Sequence, residues 1–192
     1  MEDTSKTAEK ASQDVTHFLE TYWPQTVKVH NVEDDPAYQV HDVDLLWTLA
    51  EHGRLRAVSI EIKGDTYDKT GNFFFETISN ESKGTKGCFL YTAAAWLFYY
   101  FVNTGRLYCL PMDKTRPWFI HNDNHFAEVH TSTPAGSSHY ITVGKIVPIA
   151  EVLSDVPGVL VYQKHGNQWQ RVPLADALAH AHGLKTHPKP SR

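Results

Sequence analysis

Apolar residues fall at helical spacing across residues 4–22, where Ala8, Ala11, Val15, Phe18, Leu19 and Tyr22 line one face and Pro24 closes the segment. The spacing predicts an amphipathic helix. The period then shortens to two. Residues 26–30 alternate as a short strand, and residues 31–36 make a polar loop. Residues 40–49 and 55–63 alternate again on either side of Glu51-His52-Gly53-Arg54, where a hairpin turn is expected. After a loop over 64–71, the aromatic run 72–79 predicts another strand. Residues 86–103 hold the longest apolar stretch and are expected to form a buried helix, with a strand over 106–110 behind it. A short helix plus loop is expected over 111–136, and strands at 141–148 and 159–163. Apart from the short strand over 26–30, the leading order is α-β-β-β-α-β and predicts an α/β fold with a mixed central sheet flanked by helices.

Two of these strands carry acids on one side only. In residues 57–63, Val58, Ile60 and Ile62 point one way, and Ser59, Glu61 and Lys63 the other. In residues 41–47, Val43, Leu45 and Trp47 share one face, and Asp42 and Asp44 the opposite one. A tight hairpin between the strands would bring Asp44 beside Glu61. Two carboxylates and a lysine on adjacent strands suit a magnesium-dependent phosphodiesterase. The carboxylates hold a hard cation, and the ammonium positions or deprotonates the attacking water. The plainer alternative is a set of exposed strand charges, with Asp42 and Asp44 paired to Lys63. An acid-x-Lys triplet is not specific by itself, since about 1.4 are expected by chance in such a chain. The second example, Glu81-Ser82-Lys83, sits in a polar, glycine-bearing run that reads as a loop. Strict alternation singles out the first.

With Asp44, Glu61 and Lys63 so arranged, the chain resembles the PD-(D/E)xK nuclease superfamily over roughly residues 42–110. The resemblance implies a restriction-endonuclease-like core and the activity of a metal-dependent DNA endonuclease. It implies Asp44 and Glu61 as ligands of Mg²⁺, with Mn²⁺ able to substitute, helped by the Ile62 carbonyl. Lys63 takes the place of the family's lysine. Glu20, on the first helix, matches an extra acid that many members carry there. Val43 stands where the family has proline before the first acid, a residue many members lack. Some members keep the fold without turnover, so a non-catalytic nucleic-acid-binding or assembly protein is the alternative. A small-phosphoester hydrolase is a third reading. Many nucleases of this kind act as dimers, which implies a homodimer or higher homo-oligomer.

Composition bounds the rest. A chain of 192 residues, 41% hydrophobic, predicts a single nuclease-like domain over 1–178, with a mobile tail over 179–192 where His, Lys and Pro leave little to pack. The apolar run 88–102 is too short to span a bilayer, and the opening segment is charged and helical. A cytoplasmic protein without membrane contact is expected. Cys88 and Cys109 lie in apolar segments and are expected to be buried thiols. His121-Asn122-Asp123-Asn124-His125 lacks the Glu of a zinc-protease helix and is too compressed for an HNH site, so a polar surface segment is expected. The net charge of −4 does not suit a protein that coats nucleic acid nonspecifically. Local cations must then meet the phosphates. Arg54, Arg56, Lys69, Lys83 and Lys86 are the candidates, the last two just before the expected long helix.

Overall fold

The computed structural model describes residues 4–135 and 138–184. Along the chain run α1 (Thr4–Tyr22), β1 (Thr26–Asn31), α2 (Pro36–Gln39), β2 (Leu45–Glu51) and β3 (Arg54–Asp65). Next come β4 (Asn72–Asn80), β5 (Thr85–Lys86), α3 (Cys88–Tyr91), β6 (Trp96–Phe101) and β7 (Arg106–Pro111). α4 (Met112–Asn122), β8 (Ala127–Ala135), β9 (Ser138–Pro148) and α5 (Ile149–Asp155) lead to β10 (Leu160–His165), β11 (Gln168–Val172) and α6 (Leu174–Gly183). The contacts gather into two compact units. One takes the described residues up to Asp68 with Ala93–Met112 and Gly158–Ala177, and the other takes Lys69–Thr92, Asp113–Pro157 and the described residues from Leu178.

The first unit is built on a seven-stranded sheet in the order β1-β2-β3-β6-β7-β10-β11. Its neighbours are antiparallel except β3 and β6, which run parallel with Ile60 beside Trp96 and Lys63 beside Tyr99. The α/β expectation with a mixed sheet is borne out at this level. α1 forms where its period predicts and lays Ala11, Val15, Phe18 and Leu19 on one sheet face, against Leu45, Trp47, Val58, Ile60, Phe98 and Tyr100. Helix and sheet approach closely at Gly64. A Cβ there would lie 2.9 Å from the Ala11 Cβ and 2.9 Å from the Thr7 carbonyl oxygen, so only hydrogen fits. Polar ties fix the register of the layers. Tyr100 Oη donates to Asp14 Oδ2 at 2.8 Å, and Lys164 Nζ to Asp14 Oδ1 at 2.5 Å. The expected hairpin forms too, with His52 and Gly53 both at positive φ (50° and 73°), as a two-residue turn of this hand requires.

The second unit holds a four-stranded antiparallel sheet in the order β5-β4-β9-β8. Its core is aromatic: Phe75 stacks on Phe89 with centroids 4.0 Å apart, and Phe119 meets both edge-on. The β4 expectation over 72–79 is borne out.

Several expectations are corrected. No helix spans 86–103. That stretch divides into the four-residue α3 and the strand β6. β6 is central, hydrogen-bonded to β3 on one side and β7 on the other, and Leu97 to Phe101 are buried on both of its faces. A strand covered on both faces loses its alternation and reads as a continuous apolar run. Its six aromatic and aliphatic residues, Trp96-Leu97-Phe98-Tyr99-Tyr100-Phe101, are the β-forming signal that outweighs the helical one. The crossover from β3 to β6 therefore carries β4, β5 and the short α3, and the expected long helix after β4 is absent. Residues 127–135, expected in a loop, form β8. The domain boundary expected at 178 falls inside α6, whose Ala177 and Ala181 are buried. Residues 185–192 of the expected tail lie outside those described. Cys109 is buried, whereas Cys88 is partly exposed. Among the described residues, no helix is long and apolar enough to cross a membrane.

Candidate active site

Asp44 precedes β2 by one residue and still belongs to its ladder. Its N–H donates to the Ile60 carbonyl at 2.9 Å, its carbonyl accepts from Val32 N–H at 2.8 Å, and its Oδ2 accepts from Ile62 N–H at 2.7 Å. The β2–β3 register pairs Leu45 with Ile60, and one step further sets Asp44 opposite Glu61. Both carboxyls project from the sheet face opposite α1, where successive rows are spaced by about 6.7 Å. Glu61 is 7% exposed and hydrogen-bonded to Asp44, and its Oε2 is buried with no hydrogen-bond partner among the described residues.

The electrostatics follow from burial and crowding. Burial, then the charges of Asp44 and Asp42, push the Glu61 carboxyl well above the usual carboxylate range, with Lys63 pulling the other way. Burial also raises Asp44, to about 6, against the Ile62 N–H that favours its charge; Glu33 and Asp42 add to the rise. Glu61 is the harder to ionise of the two. Burial and the neighbouring charge favour the protonated form of Glu61, and the hydrogen bond between the two favours the charged form of Asp44.

Lys63 stands two residues along β3 on the same face, half-buried, with Tyr99 as its neighbour on β6. Tyr99 Oη in turn donates to Asp65 Oδ2 at 2.5 Å, and Asp65 Oδ1 accepts from Tyr67 N–H at 2.8 Å, which anchors the end of β3. The sheet thus brings together Asp44, Glu61, Ile62 and Lys63.

Other predicted site residues are placed elsewhere. Glu20 is placed apart from this group. It is exposed near the C-terminal end of α1, next to Leu19, whose carbonyl accepts from Thr26 Oγ1. Thr26 pairs with Leu49, and Leu49 with Arg56, five residues before Glu61 on β3. That is roughly 16 Å along the strand. Helical spacing identified the face of α1 without its direction across the sheet. Arg54 sits at the hairpin tip beside Glu51 and His52, seven residues from Glu61 and roughly 23 Å away along β3. Lys69, Lys83 and Lys86 are exposed and belong to the second unit, except that the short turn Asp68–Thr70 holding Lys69 begins in the first. Lys83 closes a 3₁₀ turn capped by Asn80, and Lys86 lies on β5, so neither stands at the N-terminus of a long helix. The His121–His125 segment ends α4 and forms the short turn after it.

Sequence reasoning set Asp42 on a strand. It sits instead in the turn after α2 at φ 52°, outside β2. Val43 likewise leaves the main core for a small cluster with Val32 and Ala94. One oxygen of Asp42 and one of Glu61 lie within 4.8 Å of each other. The same face of β1 and β2 also presents exposed Lys28 and His30, paired with Thr48 and Leu46. Strand alternation in residues 26–31 was the signal for these two.

Comparisons with protein-family models, curated proteins and solved structures give no match for this chain.

Proposed function

We propose that the protein is a metal-dependent DNA endonuclease of the PD-(D/E)xK kind, hydrolysing phosphodiester bonds at Asp44, Glu61 and Lys63. The observation that carries this reading is the cross-strand pairing of Asp44 with Glu61 on the face that also presents Lys63. The meander β1-β2-β3 behind α1, with β6 running parallel to β3, is compatible with a restriction-endonuclease-like core.

The residues fit a hard divalent cation. Asp44, Glu61 and the Ile62 carbonyl offer oxygen donors, and Glu61 Oε2 is buried without a hydrogen-bond partner among the described residues. Asp44 and Glu61 would hold Mg²⁺ or Mn²⁺, with the Ile62 carbonyl beside them. When bound, the cation supplies polarisation of the scissile phosphate and a lowered pKa for a bound water. Cation binding would displace to solvent any proton held by Asp44 and Glu61. The Ile62 N–H keeps Asp44 aimed, and the apolar face beneath β3 holds the strand that carries the acids. Lys63 orients the attacking water and offsets the negative charge that develops on the phosphate oxygens. Exposed Lys28 and His30 on the same sheet face offer phosphate contacts within two strands of the acids.

A second reading is favoured by the acidic loop Glu33-Asp34-Asp35 close to Asp42 in sequence, which repels a long polyanion. It gives a small-phosphoester hydrolase using the same acids. Incubation with supercoiled plasmid and with a small phosphodiester, with Mg²⁺ or EDTA, separates the two. Nicking that needs Mg²⁺ and is lost by at least about a hundredfold in Asp44→Asn, Glu61→Gln and Lys63→Ala supports the nuclease. Plasmid cleavage at the wild-type rate by Lys63→Ala, or in EDTA, sinks it.

A further inference from the structure

We propose that Asp42 is a third carboxylate ligand of the cation site, beside Asp44 and Glu61; this rests on the cation-dependent reading above. The placement of Asp42 is specific to the fold. Its N–H donates to the Gln39 carbonyl at 3.1 Å, and on its two sides His41 accepts from Ala93 N–H at 2.8 Å while Val43 packs with Val32 and Ala94. The chain between β1 and β2 is thereby drawn down onto the start of the ladder, and Asp42 arrives from the loop while Asp44 and Glu61 arrive from the strands.

The independent sign of a ligand is on Glu61. This side chain is more than nine-tenths buried, and its Oε2 has no hydrogen-bond donor among the described residues. A carboxylate oxygen removed from water without a donor is costly. The fold brings another carboxylate, that of Asp42, to within 4.8 Å of one of the Glu61 oxygens. Two such oxygens sit on opposite sides of one cation at roughly 4.2 Å for Mg²⁺ and roughly 5 Å for Ca²⁺, so a single ion can bridge this gap. The charges also balance. Three carboxylates carry −3, and one divalent cation with the Lys63 ammonium returns +3.

The backbone makes the test clean. Asp42 has φ 52°, a left-handed conformation that asparagine adopts as readily as aspartate. Asp42→Asn therefore removes the charge and leaves the turn intact. The measurement is calorimetric titration of the metal-free full chain with Mn²⁺ and with Ca²⁺ at pH 7.5, for wild type, Asp42→Asn, Asp44→Asn and Glu61→Gln. Thermal unfolding without cation checks each fold. Affinity in Asp42→Asn is expected to drop roughly tenfold or more, in line with the dependence of such sites on ligand charge. Wild-type affinity in Asp42→Asn, with binding lost in Asp44→Asn and Glu61→Gln, overturns the role of Asp42 and leaves the cation site standing. No binding by the wild type overturns both. Asp42→Ser serves as the second variant, and loss of fold in both Asp42 variants would assign the residue to the turn and overturn its role as a ligand.

Discussion

Asp44 and Glu61 are both harder to ionise in the folded chain, and this makes stability depend on pH. Both carboxyls are raised in the folded chain, Asp44 from 3.8 to about 6, because burial and neighbouring acids disfavour their charge. The folded state therefore binds protons more tightly than the unfolded one. The stabilisation is complete below the unfolded pKa and is lost as pH rises through the folded one. For Asp44 the loss is on the order of 2–3 kcal/mol. Cation-free protein is expected to become less stable between about pH 4 and pH 7. Mn²⁺ or Mg²⁺ should reverse this at pH 8 and do little at pH 4.5, where protons hold the site. Urea titrations across pH, with and without cation, measure it. Cation-free stability that climbs from pH 4 to pH 7 would contradict the raised pair of carboxyls.

At the scale of elements, β3 does the most. One of its faces is the floor of the α1 core and the other carries Glu61 and Lys63, so the twelve-residue strand joins packing to chemistry. Its weak point is Gly64, where α1 crosses. A methyl group there meets a backbone carbonyl and the Ala11 side chain, and neither can swing aside. Gly64→Ala is expected to cost about 1–3 kcal/mol by overpacking. In a chain of this size that lowers Tm by roughly 2–4 °C per kcal/mol. Calorimetry reads it directly, and an unchanged Tm would mean that α1 slides off without loss. α1 and the β2–β3 hairpin, each with one face turned from the core, follow their periods. β6 was not legible, because burial on both faces erases the alternation that distinguishes a strand from a helix.

For the whole molecule the question is charge. A net −4 opposes a polyanion everywhere except where cations gather. Lys83 and Lys86 lie on a 3₁₀ turn and a two-residue strand, so they lack the partial positive charge of a helix N-terminus and act by side-chain charge alone. Replacing both with alanine should weaken DNA binding about equally for all sequences. It should flatten the salt dependence by up to roughly two units, about 0.9 per lost duplex phosphate contact. Binding titrations at several salt concentrations give the slope. A slope unchanged in the double variant removes this turn from the DNA contact.

The sequence by itself determined the trio of Asp44, Glu61 and Lys63, because strand alternation and a hairpin turn are local and fix which side chains share a face. It also determined the buried stripe of α1. Tertiary structure decided what no local period encodes. It ran α1 so that Glu20 ends near the far end of β3, and it put β6 between two strands. It also turned the chain after α2 so that Asp42 stands near Glu61. Each of these depends on contacts between residues distant in sequence, whose cost and reward are settled only when the sheet is assembled.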